Sequence, residues 1–386
     1  MVVRCPNCSG ALVYNPTKNK MVCEYCDSVF DSVEEKVPET DEMEYDLYCC
    51  TNCGAQLMIN DVESATYCAY CQQPTVVFDR VAKQKRPKYI IPFSINKAEA
   101  EKLVREKVNK GFFIPTEVKN FKIEQLRGIY IPYKLVDMYY EDSQVWKGTV
   151  KSGKSSVTRY FYRKAEHSFF KLSLDASKRL NDNSSVRLEP YYMENLIPFN
   201  TMYLSGYYAD CSDVLEDETQ TVAFNRAKIL FDEAVKNTVN ASSLSLVESN
   251  PKYQFSNIDY ALLPAWFMVS YIDGKPHTIM VNGQTGKVVG AMPLAKNKIF
   301  AVGIPLSAIL GFVCGFISSI LCAAGANDDG DGFQILFVII VFGVFSLLAG
   351  IGKFARIKRS QELTTKQEIM NFTTKRTDMG NTDNYQ

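Results

Sequence analysis

At 386 residues the chain is long enough for two or three compact units. Its 43 basic and 43 acidic side chains cancel, yet residues 1–80 hold five Lys/Arg against thirteen Asp/Glu, a net of −8, and the rest carries the compensating +8. Nine of the twelve cysteines fall within the first 71 residues with no secretory apolar region before them, which excludes a disulfide-stapled secreted fold and leads to the expectation of a reduced, cytoplasmic N-terminus.

Two CxxC pairs open the chain, Cys5/Cys8 with Cys23/Cys26, and a second set follows, Cys50/Cys53 with Cys68/Cys71. Fourteen residues separate the pairs in each set, and the second set is the first shifted by 45 positions. Asn7/Asn52, Leu12/Leu57, Asn15/Asn60 and Tyr25/Tyr70 match in the same register. Each CxxC forms a tight knuckle offering two thiolates, and two knuckles joined by a hairpin close a tetrahedral site with no position left for substrate water. The spacing therefore predicts two small β zinc ribbons, at residues 1–32 and 47–80, holding two structural zinc ions through Cys5, Cys8, Cys23, Cys26 and Cys50, Cys53, Cys68, Cys71. A single redox CxxC would instead open a helix in a βαβ unit. The 45-residue register selects Cys50 over its neighbour Cys49, and residues 33–46 read as an acidic linker.

Two thiolate-bound zinc ions would bring the N-terminal region to about −12. Nucleic-acid binding needs a basic footprint, so this charge argues against it and for a protein partner.

Residues 85–295 read as an α+β region. The apolar spacing predicts amphipathic helices over 96–109 and 217–239, each followed by a β-rich stretch with a central proline, Pro132 and Pro264. The prolines lie 132 residues apart, which predicts two repeats, about 88–190 and 195–293. Gly283 to Lys287 lacks the glycine spacing of a phosphate loop and reads as a turn. Neither His167 nor His277 has a nucleophile context, so no catalytic residue is assigned.

Residues 299–324 and 333–351 are uncharged runs of 26 and 19 residues, each about the length that spans a bilayer. Lysines and arginines flank the pair, while three aspartates lie between the runs, and 352–386 is a polar tail. Basic flanks predict a multi-pass membrane protein, a transmembrane hairpin in a lipid bilayer with both termini cytoplasmic. Ser307, Gly311, Gly315 and Ser319 form a small-residue stripe that suits helix packing, including a homo-oligomer. Residues 327–332 begin like a calcium loop but lack its closing glutamate.

With these residues laid out, the chain resembles a family of bacterial membrane proteins carrying transcription factor IIB-type zinc ribbons. The likeness rests on the two ribbons, Ile91-Pro92-Phe93, Ile131-Pro132-Tyr133, the stretch from Tyr260 to Trp266 and the stretch from Asn282 to Lys287. Some members resemble partners of phage-shock-protein-A-type and flotillin-like proteins, which implies a role in envelope stress or membrane maintenance. The resulting expectation is a non-enzymatic, membrane-anchored adaptor that recruits a protein partner. The alternatives are a nucleic-acid or transcription-associated ribbon protein, and an enzyme with its site in the α+β region.

Overall fold

The computed structural model describes residues 4–31, 42–52, 54–59, 67–71, 76–109, 114–121, 126–153, 155–178, 182–272 and 275–290, with the single residues 74, 180, 295, 298 and 301. The first ribbon is a three-stranded sheet of β1 (Leu12–Asn15), β2 (Lys20–Cys23) and β3 (Val29–Phe30). The second ribbon, with β4 (Glu42–Cys50), β5 (Gln56–Ile59) and β6 (Val76–Lys85), belongs to an 11-stranded sheet that continues through the body.

The body repeats one order of elements. In its first half a short strand β7 (Tyr89–Ile90) leads to α1 (Lys97–Asn109), the four-residue α2 (Thr116–Lys119), a long strand β8 (Arg127–Ser152) and its return β9 (Ser155–Asp175). After α3 (Asp182–Leu188) and the short β10 (Ile197–Pro198), the second half runs β11 (Tyr208–Asp210), α4 (Glu216–Lys236), β12 (Ser242–Ile272), β13 (Lys275–Asn282) and β14 (Val288–Gly290). The two long strands pair antiparallel, and Ile131 faces Leu263. Those residues are 132 apart, the same offset as Pro132 and Pro264, so the pairing sets equivalent positions opposite each other about a local two-fold axis. Each half lends its short strand to the other. β7 pairs in parallel with β12, and β11 pairs in parallel with β8. Neither half completes its sheet alone.

The helices lie where the periodicity places them. α1 buries Ala100, Val104 and Val108, whereas α4 buries Thr219, Ala223, Ala227, Phe231 and Val235 and leaves Leu230 exposed. The strands are longer than the sequence pattern implies. β12 has 31 residues, about 100 Å if fully extended. Alternation along β8 puts Met138, Tyr140 and Trp146 against α4, while Glu141 on the other face pairs with Lys164 of β9 at 2.9 Å.

Three expectations are corrected. The body is predominantly β-sheet rather than α+β, because the apolar alternation around each central proline continues as strand for more than twenty residues. The transmembrane hairpin, the bilayer contact and the multi-pass membrane localisation are set aside. Among the described residues no helix is long and apolar enough to cross a membrane, and α4, the longest at 21 residues, carries charge along its whole length, from Glu216 to Lys236. Apart from residue 301, residues 299–324 and 333–351, including Ser307, Gly311, Gly315 and Ser319, lie outside the described residues. Finally, residues 42–46 are strand and not linker. Glu42 faces Lys85 and Glu44 faces Lys83 across β4 and β6, with a Glu44–Lys83 ion pair at 3.1 Å. Opposite charges set directly across a ladder favour that register.

Three of the stretches that carry the family resemblance, at 91–93, 260–266 and 282–287, meet at one structural junction. Phe93 stacks on Tyr207 with ring centroids 4.2 Å apart and meets Tyr130 and Trp266 at 5.0 Å each. The backbone N–H groups of Ser94 and Ile95 both donate to the Gly283 carbonyl at 2.9 Å, and Trp266 Nε1 donates to the Ile95 carbonyl at 2.9 Å. A Cβ on Gly283 would lie 2.7 Å from both Phe93 and Pro264, so only glycine permits this approach.

Candidate metal centres

Three knuckles share one hydrogen-bond pattern. The N–H four residues after the first cysteine donates back to its carbonyl, as Ser9 to Cys5 at 2.8 Å, Asp27 to Cys23 at 3.0 Å and Gly54 to Cys50 at 2.7 Å. Each of those cysteines donates its own N–H to the carbonyl five residues on, in Gly10, Ser28 and Ala55. The turn requires left-handed backbone at the fourth position, with φ of 61° at Ser9, 55° at Asp27 and 69° at Gly54. Glycine adopts this freely and aspartate tolerates it better than most side chains.

The first centre brings together Cys5, Cys8, Cys23 and Cys26, whose sulfurs all lie within 4.8 Å of one another. Cys5 and Cys26 sulfurs are 3.6 Å apart, and Cys8 and Cys23 sulfurs 3.4 Å. The Ser28 hydroxyl and then the Ser28 backbone N–H lower the pKa of Cys26. Gly10 sits against this centre. A Cβ there would lie 3.3 Å from the sulfurs of Cys8 and Cys23.

The second centre brings together Cys50, Cys68 and Cys71, all buried, within the same 4.8 Å limit. Cys50 and Cys71 sulfurs are 3.6 Å apart, and Asn52 Nδ2 donates to Cys71 Sγ at 3.6 Å. Cys53 lies outside the described residues. The Cys49 sulfur turns toward the Cys50 carbonyl, at 4.0 Å, and takes no part in the cluster. Both groups could hold a metal ion.

The two ribbons are fastened to the body differently. The first docks through β1, where the Ser205 hydroxyl donates to the Leu12 carbonyl, Tyr207 donates its hydroxyl to the Tyr14 carbonyl at 3.3 Å, and Tyr14 meets Tyr203 edge-on at 5.0 Å. Gly206 has φ of 84°, and a Cβ there would lie 2.3 Å from Val13. The second ribbon docks through β5, which pairs with β11, and through Tyr70 between its last two cysteines. Tyr70 packs edge-on against Phe267 at 5.8 Å and donates its hydroxyl to Asp210 at 2.6 Å. The Ser177 hydroxyl donates to the same carboxylate oxygen at 2.5 Å.

Asp210 is fully buried, and burial raises its pKa to about 6 against the lowering effect of those donors. A carboxyl with a raised folded pKa stabilises the fold at low pH and loses that contribution as pH rises through about 6. Wild-type stability should thus decline by about 1 kcal/mol between pH 5 and pH 7.5 from this group. Urea midpoints at the two pH values check this, and Asp210→Asn should remove that part of the decline.

Among the described residues no histidine side chain joins the cysteine centres. His167 stands on β9 edge-on to Phe169 at 4.6 Å, and the His277 side chain is outside the described residues. A cleft of about 440 Å³ lies between the first ribbon and the body, where Glu24, Lys97 and Arg127 gather beside Tyr67 and Trp266. Among the described residues lining it there is no cysteine, histidine or serine.

No family model and no solved structure matches the chain. It is 31% identical over 238 residues to a protein of Bacillus subtilis (strain 168) whose name reads "Uncharacterized protein YdjG", an alignment that takes in 58% of this chain and 69% of that relative. With that identity over more than two thirds of the relative, the chain belongs to the family of YdjG.

Proposed function

We propose that the chain is a zinc-stabilised, non-enzymatic adaptor that recruits or organises a protein partner, with both cysteine centres holding structural zinc. The observation that carries the reading is the closed shape of the first centre. Sulfurs 3.4 and 3.6 Å apart approach the ~3.8 Å edge of a tetrahedron built on Zn–S bonds of about 2.3 Å. Four thiolates at that spacing leave no position for a substrate or an activated water, so Cys5, Cys8, Cys23 and Cys26 would hold the ion for folding. Cys50, Cys68 and Cys71, with Cys53 as the fourth ligand, would do the same.

Charge supports a protein partner over a nucleic acid. Residues 1–80 carry a net −8, and two tetrathiolate zinc centres would take this to about −12. The likeness to transcription factor IIB-type ribbons describes a small metal fold and does not by itself favour transcription.

The purified full chain should contain two equivalents of zinc by elemental mass spectrometry and should leave labelled DNA and RNA unshifted at low salt. A salt-dependent shift of either would overturn the adaptor reading in favour of a nucleic-acid protein.

A further inference from the structure

The two ribbons place a tyrosine at the same point of the same knuckle and use it in opposite ways. Tyr70 is 2% exposed, and Tyr25, its partner in the 45-residue register, is 84% exposed. Tyr70 shows what this knuckle does when it has somewhere to go. Its ring enters an apolar pocket walled by Phe267 and its hydroxyl reaches a buried carboxylate, Asp210. Tyr25 stands on a knuckle whose Asp27 turn repeats the hydrogen bonds of the Cys5 and Cys50 knuckles, and its side chain points into solvent. Around it Glu24, Cys26, Asp27 and Val29 are exposed as well. An exposed tyrosine ring beside two carboxylates offers both apolar area and charge to a partner, and tyrosines are over-represented among the residues that dominate protein interfaces.

We propose that the second knuckle of the first ribbon, with Tyr25 as anchor and Glu24 and Asp27 as its acidic rim, is the docking surface for the partner, a folded protein offering an aromatic-walled pocket ringed by Lys and Arg. This rests on the adaptor reading and locates its contact. Charge complementarity selects the partner, because the carboxylates and the thiolate centre behind them all favour a basic rim. Tyr70 and Asp210 supply the template for the pocket, including an acceptor at its base for the tyrosine hydroxyl.

The test uses the full, zinc-loaded chain with a photo-crosslinking phenylalanine at position 25, and at Phe170, 80% exposed on β9, as control. The protein captured from position 25 is identified, purified and titrated against the wild-type chain and its variants. Tyr25→Ala is expected to weaken binding roughly 10- to 30-fold, as loss of an anchor does, with Tyr25→Phe intermediate. Glu24→Lys with Asp27→Asn, which removes both carboxylates and keeps a residue type suited to the left-handed turn, should slow association and flatten its salt dependence. Zinc content and melting temperature should stay unchanged in all three. Equal capture from positions 25 and 170, capture only of a second copy of this chain, or a captured protein indifferent to Tyr25→Ala would each overturn the inference. If a partner binds wild type and Tyr25→Ala equally, the adaptor reading stands and the docking site lies elsewhere. A chain that binds no protein through any surface fails both.

Discussion

Chelating the metal is expected to unfold the whole body and not merely the two ribbons. Structural zinc contributes about 10–16 kcal/mol in small metal-folded units, as much as or more than the ~5–15 kcal/mol that holds an ordinary domain together. In a protein with ribbons on flexible tethers that loss would stay local. Here Leu12, Tyr14 and Met21 of the first ribbon share one apolar cluster with Phe93, Tyr130 and Trp266. The second ribbon is tied in more deeply, because β5 lies between β4 and β11 in the main sheet and Tyr70 fills a pocket beside Phe267. Removing its ion frees the strand that covers β11, and β11 in turn borders β8. Zinc release read with a chromogenic chelator should therefore coincide with the loss of tryptophan fluorescence, since Trp266 lies in the cluster that the first ribbon covers. Cys50→Ser is expected to cost more than Cys26→Ser. Cys50 is fully buried at the end of β4, whereas Cys26 is exposed at the rim of its centre and a water can replace its sulfur there. A body that keeps its fluorescence and its sheet signal in circular dichroism after chelation would show the ribbons to be independent of it.

What the sequence made legible was local. The CxxC spacing pointed to the cysteines that the fold gathers among the described residues, and the 45-residue register chose Cys50, which lies with Cys68 and Cys71, over Cys49, whose sulfur faces the Cys50 carbonyl. Helical periodicity located α1 and α4. The non-local arrangement was not legible. The exchange of β7 and β11 between the two halves depends on pairings such as Tyr89 with Ala261 and Tyr208 with Ile129, across separations that no window of residues contains. The acidic stretch before Cys49 looked like a solvated linker because its partner, the basic stretch 83–88, lies some forty residues later in the chain. Only the ladder between β4 and β6 brings Glu44 to Lys83. The different fates of Tyr25 and Tyr70 were hidden for the same reason. The register marked them as equivalent, and it is Asp210 and Phe267, 140 and 197 residues beyond Tyr70, that make one of them a buried anchor.

Phe93→Ala should cost about 3–5 kcal/mol, at the upper end for a buried aromatic, because the site cannot collapse onto the void. Phe93 is 1% exposed and touches three other rings, Tyr207, Tyr130 and Trp266. Each of those is fixed by something else. Trp266 donates to the Ile95 carbonyl, Tyr207 donates to the Tyr14 carbonyl, and Tyr130 lies on β8 between β12 and β11. Gly283 borders the same ring on its other side and has no side chain to move inward. The void therefore stays open, and its walls lose their contacts without gaining new ones. The consequence should spread in one direction. Tyr207 packs against Phe93 with one face and holds the first ribbon with its hydroxyl, so Phe93→Ala should also speed exchange of the β1 amides and loosen zinc in the first centre. The second centre is anchored through Tyr70 and β5, away from this ring, and should keep its ion. Denaturant midpoints give the energy, and the rates at which the two zinc equivalents pass to a competing chelator give the direction. One equivalent released faster and one unchanged is the expected pattern. Equal acceleration of both would mean that Phe93 supports the sheet as a whole and does not serve as the hinge between the body and its first ribbon.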